Sequence, residues 1–238
     1  PYTEDGKVRW EEGTDWPDPI NLFSYLAGAT KKINFYTSVY ILPARNPLRA
    51  AKEISTLANF SNGRFSLGIG MGWMPEEFQV GEQAFRMRGK RADEMIEVMK
   101  KLWSGDMHSF DGEFYNYEPL EMLPKPNHKI PILVGGFSKP AIRRAAQHDG
   151  WVSDLHSLEE LEALIKKIKQ ERKEKNKTGE YQIIAFSCWD AFSADGFKKM
   201  QELGVTTVTT YPWMLYGVMN EAPLQDKLMD SKDFQTKS

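Results

Sequence analysis

Along this chain the hydrophobic period switches repeatedly, and that switching limits what it can fold into more than any other feature. Short runs of β-branched and aromatic residues alternate with longer stretches whose apolar residues recur every three or four positions. In residues 20–30, Ile20, Leu22, Phe23, Leu26 and Ala27 fall at helical spacing. Ile33 to Leu42 favours a strand, ended by Pro43 and Pro47. Asn46-Pro47 reads as an N-cap followed by proline at the first helical position, and Asn62-Gly63 as the stop of that helix. Phe65 to Met71 follows as a strand. Arg88 to Trp103 is a helix whose stripe is Ala92, Met95, Ile96, Met99, Leu102 and Trp103.

The alternation continues downstream. Residues 104–129, punctuated by Gly105, Gly112, Pro119, Pro124 and Pro126, are too long for a simple connector and are expected to form an inserted excursion. Ile130 to Val134 is a strand, Ser138 caps a helix through His148, and Gly150 to Ser153 is a strand. Ser157-Leu158-Glu159-Glu160 matches a capping box. The Lys/Glu run at 166–177 is the solvated face of the helix it opens. Tyr181 to Ser187 is a strand, Ser193 to Leu203 a helix closed by Gly204, and Val205 to Tyr211 a strand. A last helix is expected near Leu224 to Phe234.

About six such units imply an α/β fold of parallel strands joined by crossover helices. An open doubly wound sheet and a closed barrel both satisfy that order. Strand 65–71 sets Phe65, Leu67 and Ile69 against Ser66, Gly68 and Gly70, and small residues on one face suit a barrel interior. Its glycines lie within the strand, at the wrong spacing for a dinucleotide-binding turn. The expectation is therefore a (β/α)8 TIM barrel forming one domain over residues 1–238. Six strands fall short of eight, and residues 1–19 read as irregular loop. The first strands are thus expected to be missing from this chain, and about 40 to 60 residues to precede Pro1 in the gene.

Composition narrows the function classes. With 31 Lys+Arg against 33 Asp+Glu, the net charge of −2 supplies no field for binding nucleic acid or acidic membranes. No apolar run approaches the roughly 18 residues of a membrane span. Cys188 is the single cysteine, so no internal disulfide forms and a cytoplasmic protein is expected. No zinc-type spacing of Cys, His and carboxylates occurs, and no metal is expected.

In a barrel, chemistry sits where strands end. Five such ends carry candidates. Thr37-Ser38-Val39-Tyr40 offers hydroxyls to a planar heterocycle, or simple β-propensity. Gly70-Met71-Gly72-Trp73 lets a ligand approach the backbone beside an aromatic wall, or makes a tight turn with a core Trp. Gly135-Gly136-Phe137-Ser138, leading into a helix, combines close backbone approach with unpaired N–H donors, which suits a phosphate; the bland alternative is a strand exit with Ser138 as N-cap. His148 is a base or a dipole-favoured helix terminus. Tyr211-Pro212-Trp213 with Tyr216 lines a pocket or packs a barrel end. His108, His128 and His156 lie in loops without partner spacing and read as incidental. Cys188 reads as a buried thiol.

Several words of the sequence, in this order, resemble the luciferase-like superfamily of flavin- and deazaflavin-dependent oxidoreductases. They are Thr37-Ser38-Val39 with Leu42-Pro43-Ala44-Arg45-Asn46-Pro47, Gly63-Arg64-Phe65-Ser66-Leu67-Gly68-Ile69-Gly70-Met71-Gly72-Trp73, Leu123-Pro124-Lys125-Pro126, Pro131-Ile132-Leu133-Val134-Gly135-Gly136 and Asp149-Gly150-Trp151. The resemblance covers roughly residues 1–215. It implies a (β/α)8 barrel with an insertion at about 104–129 and a cofactor ring at its C-terminal mouth. It implies that Thr37, Ser38 and Val39 form a strand bulge, often with a non-prolyl cis peptide, behind the ring. Gly70, Gly72 and Trp73 would lie beside the cofactor, and Gly135, Gly136, Phe137 and Ser138 would take its phosphate. The family's first strand, first helix and second strand have no counterpart here, so catalytic residues are not assigned.

The function expected from this resemblance is oxidation or reduction of a small organic substrate. The cofactor would be FMN, giving a monooxygenase, or deazaflavin coenzyme F-420, giving hydride transfer. The matching words sit slightly closer to the deazaflavin branch. A homodimer pairing through helices near 20–30 and 47–60 is expected. Two other functions compete. One is a non-catalytic or degenerate flavin-binding barrel. The other is a lyase or isomerase for a phosphorylated metabolite, which would want a Lys or paired carboxylates at strand ends.

Overall fold

A computed structural model describes residues 15–210. Most of the opening loop, Tyr211-Pro212-Trp213, Tyr216 and the helix expected near 224–234 lie outside the described residues. The chain divides into two compact units between Gly135 and Gly136.

The first unit runs through α1 (Pro19–Ala29), β1 (Phe35–Tyr36), β2 (Tyr40–Ile41), a 3-10 turn (Leu42–Ala44), α2 (Pro47–Ser61) and β3 (Phe65–Gly70). It continues with α3 (Pro75–Val80), α4 (Arg88–Leu102), β4 (His108–Asp111), β5 (Asn116–Leu120) and β6 (Ile132–Gly135). β3 is the central strand, with β6 parallel on one side and both β1 and β2 parallel on the other. Local signals set the helix ends. Asp18 Oδ1 accepts from the Ile20 and Asn21 N–H groups. Asn46 Oδ1 accepts from Arg49 N at 3.1 Å with Pro47 at the first helical position, as its sequence predicts. Asn62, at φ 51°, closes α2. Ala50, Ala51, Ile54, Leu57 and Ala58 of α2 and Ala92, Met95, Ile96, Met99 and Leu102 of α4 are all buried. Each of the larger side chains contributes about 1.5–3 kcal/mol by leaving water.

Three features of this unit go beyond what the hydrophobic periodicity gives. The single strand expected over 33–42 is broken in two. Tyr36 pairs with Ser66 and Tyr40 with Ile69, so the first chain spends one more residue than its partner over the same length. That is a β-bulge at Thr37-Ser38-Val39, where the family resemblance implies one. The Ser38–Val39 peptide is cis, and so is Leu123–Pro124. Residues 104–129 are not wholly irregular. β4 and β5 pair antiparallel, and Glu94 of α4 ties down their turn by accepting from the Glu113, Phe114 and Tyr115 N–H groups. Between β3 and α4, α3 begins with Pro75, Glu76 and Glu77, residues that favour a helix start, and buries Phe78.

The second unit contains α5 (Lys139–Ala145), β7 (Gly150–Val152), α6 (Leu158–Glu174), β8 (Gln182–Phe186), α7 (Ala194–Leu203) and β9 (Thr207–Thr209). β8 lies between β7 and β9, all parallel. The capping box forms: Glu160 N donates to Ser157 Oγ at 3.1 Å, and Ser157 N to Glu160 Oε2 at 2.9 Å. Ser193 caps α7, and Gly204 at φ 100° ends it. Leu161, Leu164, Ile165 and Ile168 are the buried stripe of α6.

Candidate cofactor site

In the first unit the bulge is built onto β3 and β6. The buried Thr37 hydroxyl donates to the Gly68 carbonyl at 2.7 Å. Glycine is required at position 68 because a Cβ there would collide with the Thr37 carbonyl. Val39 fits in the same way. A Cβ on Gly70 would run into Val39 Cγ2, and a Cβ on Gly135 would lie 2.7 Å from Val39 Cγ1. Three strand glycines thus let the bulge lie close over β3 and β6. The small-residue face of β3, expected to serve a barrel interior, is the face the bulge covers. Ser38 is exposed and Val39 half-buried at the crest.

Gly72, at φ 74°, turns the chain out of β3; a Cβ there would meet Phe78 and Ile41. Arg88 Nε donates to the Gly72 carbonyl at 3.0 Å, fixing this turn from the start of α4. Trp73 follows, 47% exposed, so it is no core residue. The buried Arg91 guanidinium donates to the Ala84 and Pro43 carbonyls, both at 2.7 Å. Together these arginines hold segment 72–87 beyond the end of β3.

In the second unit Gly136 sits at φ 102°, where a Cβ would meet only Ala141 Cβ at 3.3 Å. Phe137 and Ser138 are exposed. Ser138 Oγ accepts from Ala141 N at 3.4 Å, so this hydroxyl caps α5. Trp151, fully buried, donates its indole N–H to the Gly136 carbonyl at 2.8 Å. Asp149-Gly150-Trp151 stood out in the sequence only as a matching word, with no role for the Trp.

The histidine expectations divide. His148 lies between α5 and the start of β7, with its N–H on the Ala145 carbonyl at 3.1 Å. That is the helix-terminal position, away from the strand's C-terminal end. His156, expected to be incidental, is only 9% exposed. Its ring meets Phe137 edge to face at 5.6 Å, its Nδ1 lies 3.9 Å from Glu160 Oε2, and its buried Nε2 has no hydrogen-bond partner. It borders a cleft of about 480 Å³ shared with Phe137, Leu155 and Lys167. No spacing rule marks a lone loop histidine, so only the folded chain reveals it. Among the described residues no cluster of three or more His, Cys, Asp or Glu side chains is placed to hold a metal, and no helix is long and apolar enough to cross a membrane.

The family model for luciferase-like monooxygenases matches residues 5–189. The chain belongs to this family. A protein of Mycobacterium tuberculosis strain H37Rv, described as uncharacterized, is 37% identical over 235 residues, covering 98% of this chain and 81% of its own length. Two solved structures share the fold of this luciferase-like chain. The coenzyme F420-dependent tetrahydromethanopterin reductase of Methanopyrus kandleri superposes with a TM-score of 0.64 at 19% identity, over 72% of this chain and 55% of its own. The oxygenating constituent of 3,6-diketocamphane monooxygenase from Pseudomonas putida, solved with FMN, gives 0.59 at 24% identity, over 71% and 51%. The chain thus spans little more than half of either structure. The expected α/β class and its luciferase-like TIM-barrel type are borne out.

The segments fit such a cofactor chemically. Val39, half-buried with its methyls over Gly70 and Gly135, is an apolar residue of the kind that can lie against a flat ring. Gly136, at φ 102°, belongs to a loop that ends in a hydroxyl and the first turn of α5.

Proposed function

We propose that this chain is an oxidoreductase that uses reduced FMN or deazaflavin coenzyme F-420 to act on a small organic substrate. The observation that carries the proposal is the Thr37-Ser38-Val39 bulge, lodged on Gly68, Gly70 and Gly135, at the position where the family resemblance places the support of the ring. In this proposal Val39 backs the ring and Thr37 holds the bulge through Gly68. Gly72 and Trp73 border the cofactor, and Gly136, Phe137 and Ser138 take the phosphate. Bound FMN would supply electrons for oxygen activation, and coenzyme F-420 a hydride. The protein's share is to bind, orient and exclude water. Support for either cofactor comes from the relatives: the Methanopyrus enzyme is F420-dependent, and the Pseudomonas enzyme was solved with FMN.

Titrating the purified protein with FMN and with coenzyme F-420, followed by fluorescence, tests this. Saturable binding of one of them in about the micromolar range is expected. Binding of neither would sink the proposal. Binding without turnover on any electron donor would favour the non-catalytic alternative. We also propose a homodimer through α1 and α2, whose Leu22, Tyr25, Leu48 and Phe60 are 39%, 74%, 47% and 62% exposed. Sedimentation at micromolar concentration should give twice 27.3 kDa, and a monomer would refute the pairing.

A further inference from the structure

Three consecutive residues of the second unit are each held by a different contact. The Gly136 carbonyl accepts from Trp151 Nε1, the Phe137 ring meets the His156 imidazole, and Ser138 Oγ accepts from Ala141 N. The first contact dictates a direction. An indole has one polar atom, a donor, and a fully buried one needs an acceptor. In Trp151 that donor goes to Gly136 at 2.8 Å. A trans peptide points its C=O and N–H to opposite sides. With the Gly136 carbonyl turned onto the indole, the Phe137 N–H of the same peptide is turned away from it. The φ of 102° at Gly136 is a region that glycine enters without strain, so this orientation is available to the backbone.

We propose that Trp151 is a positioning residue: its indole N–H fixes the Gly136–Phe137 peptide so that the Phe137 N–H is presented to a cofactor phosphate. His156 assists by propping the Phe137 ring edge to face, which keeps the half-exposed side chain from rotating across the loop. This rests on the assignment of Gly136, Phe137 and Ser138 as the phosphate segment.

Trp151→Phe keeps an aromatic ring in the buried site and removes the donor. The measurement is the affinity of the variant and the unmodified protein for FMN and for riboflavin, which lacks the phosphate. For F-420 the matching pair is the coenzyme and its phosphate-free deazaflavin. In the variant the phosphate-bearing form should bind at least fivefold more weakly, while the phosphate-free form changes less than twofold. A general loosening of the fold would weaken both alike, and that result would overturn the role of Trp151. Should the variant not fold, the unmodified protein still decides. The Phe137 amide proton should move downfield on binding FMN and stay in place on binding riboflavin; an unmoved amide overturns the proposal. Failure of the underlying assignment looks different, because unmodified protein would then bind the two forms equally. Unmodified protein that prefers the phosphate, with a variant that keeps the same preference, refutes Trp151 alone.

Discussion

Val39 occupies the space that a side chain on Gly70 would need: a Cβ at position 70 would run into Val39 Cγ2. Val39 belongs to the bulge before β2 and Gly70 to the end of β3, and each limits what the other position accepts. Gly70→Ala should therefore overpack the site and destabilise the fold by about 1–3 kcal/mol. Trimming the opposing side chain with Val39→Ala should recover much of that loss. A double-mutant cycle by urea denaturation measures the coupling, and additive effects would show that the two side chains do not meet.

Arg64 ties together the ends of several elements. Its guanidinium donates to the carbonyls of Ser61, Ile33, Ala27 and Thr30 and to the Thr30 hydroxyl, at 2.7–3.2 Å, and lies 5.2 Å from the centre of the Phe35 ring. A lysine has no planar fork with which to reach these acceptors. Arg64→Lys should cost about 2 kcal/mol and lower Tm by about 5 °C, read by calorimetry. A Tm within a degree of the parent would refute the tie.

Glu94 holds the β4–β5 turn through three backbone donors at 2.7–2.9 Å. Bonds to a carboxylate are stronger than neutral ones, and their loss leaves the turn without an anchor. Glu94→Ala should destabilise by about 2 kcal/mol. Amide exchange at Glu113, Phe114 and Tyr115 should accelerate far more than exchange in β3. Uniform acceleration across the chain would contradict a local role.

Alkaline pH should weaken the fold in a defined window. Burial pushes the Cys188 thiol from 9.0 up to about 11, helped by the Asp190 carboxylate. Burial also pushes Tyr40 from 10.0 up to about 12, against the pull of the Arg45 guanidinium. Above pH 9 the unfolded chain releases these protons first and the folded chain keeps them. The unfolded state then binds fewer protons, and stability falls as pH rises. Cys188 should account for a loss of about 2 kcal/mol between pH 9 and 11, and Tyr40 should extend the decline toward pH 12. Urea midpoints across pH 8–11 check this. Cys188→Ala should flatten the first part of the decline, and an unchanged slope would rule out the thiol.

The sequence by itself determined the features whose causes lie within a few residues. The Asn46-Pro47 start, the Ser157–Glu160 capping box and the Ser193 and Gly204 ends of α7 all close hydrogen bonds over two to four positions, so spacing alone is enough to read them. That the strands run parallel followed from the alternation of periods, and the family from words the sequence carries in register. Only the tertiary structure decided what those words do. The glycines of β3 and β6 look alike in the sequence, yet Gly68 answers to Thr37 while Gly70 and Gly135 answer to Val39. Trp151 finds its acceptor at Gly136, and His156 finds Phe137, across turns that no local spacing encodes. The physical reason is range. A cap is satisfied by neighbours in the chain, whereas a bulge seated on glycines or a buried indole N–H is satisfied by whatever the fold brings to it.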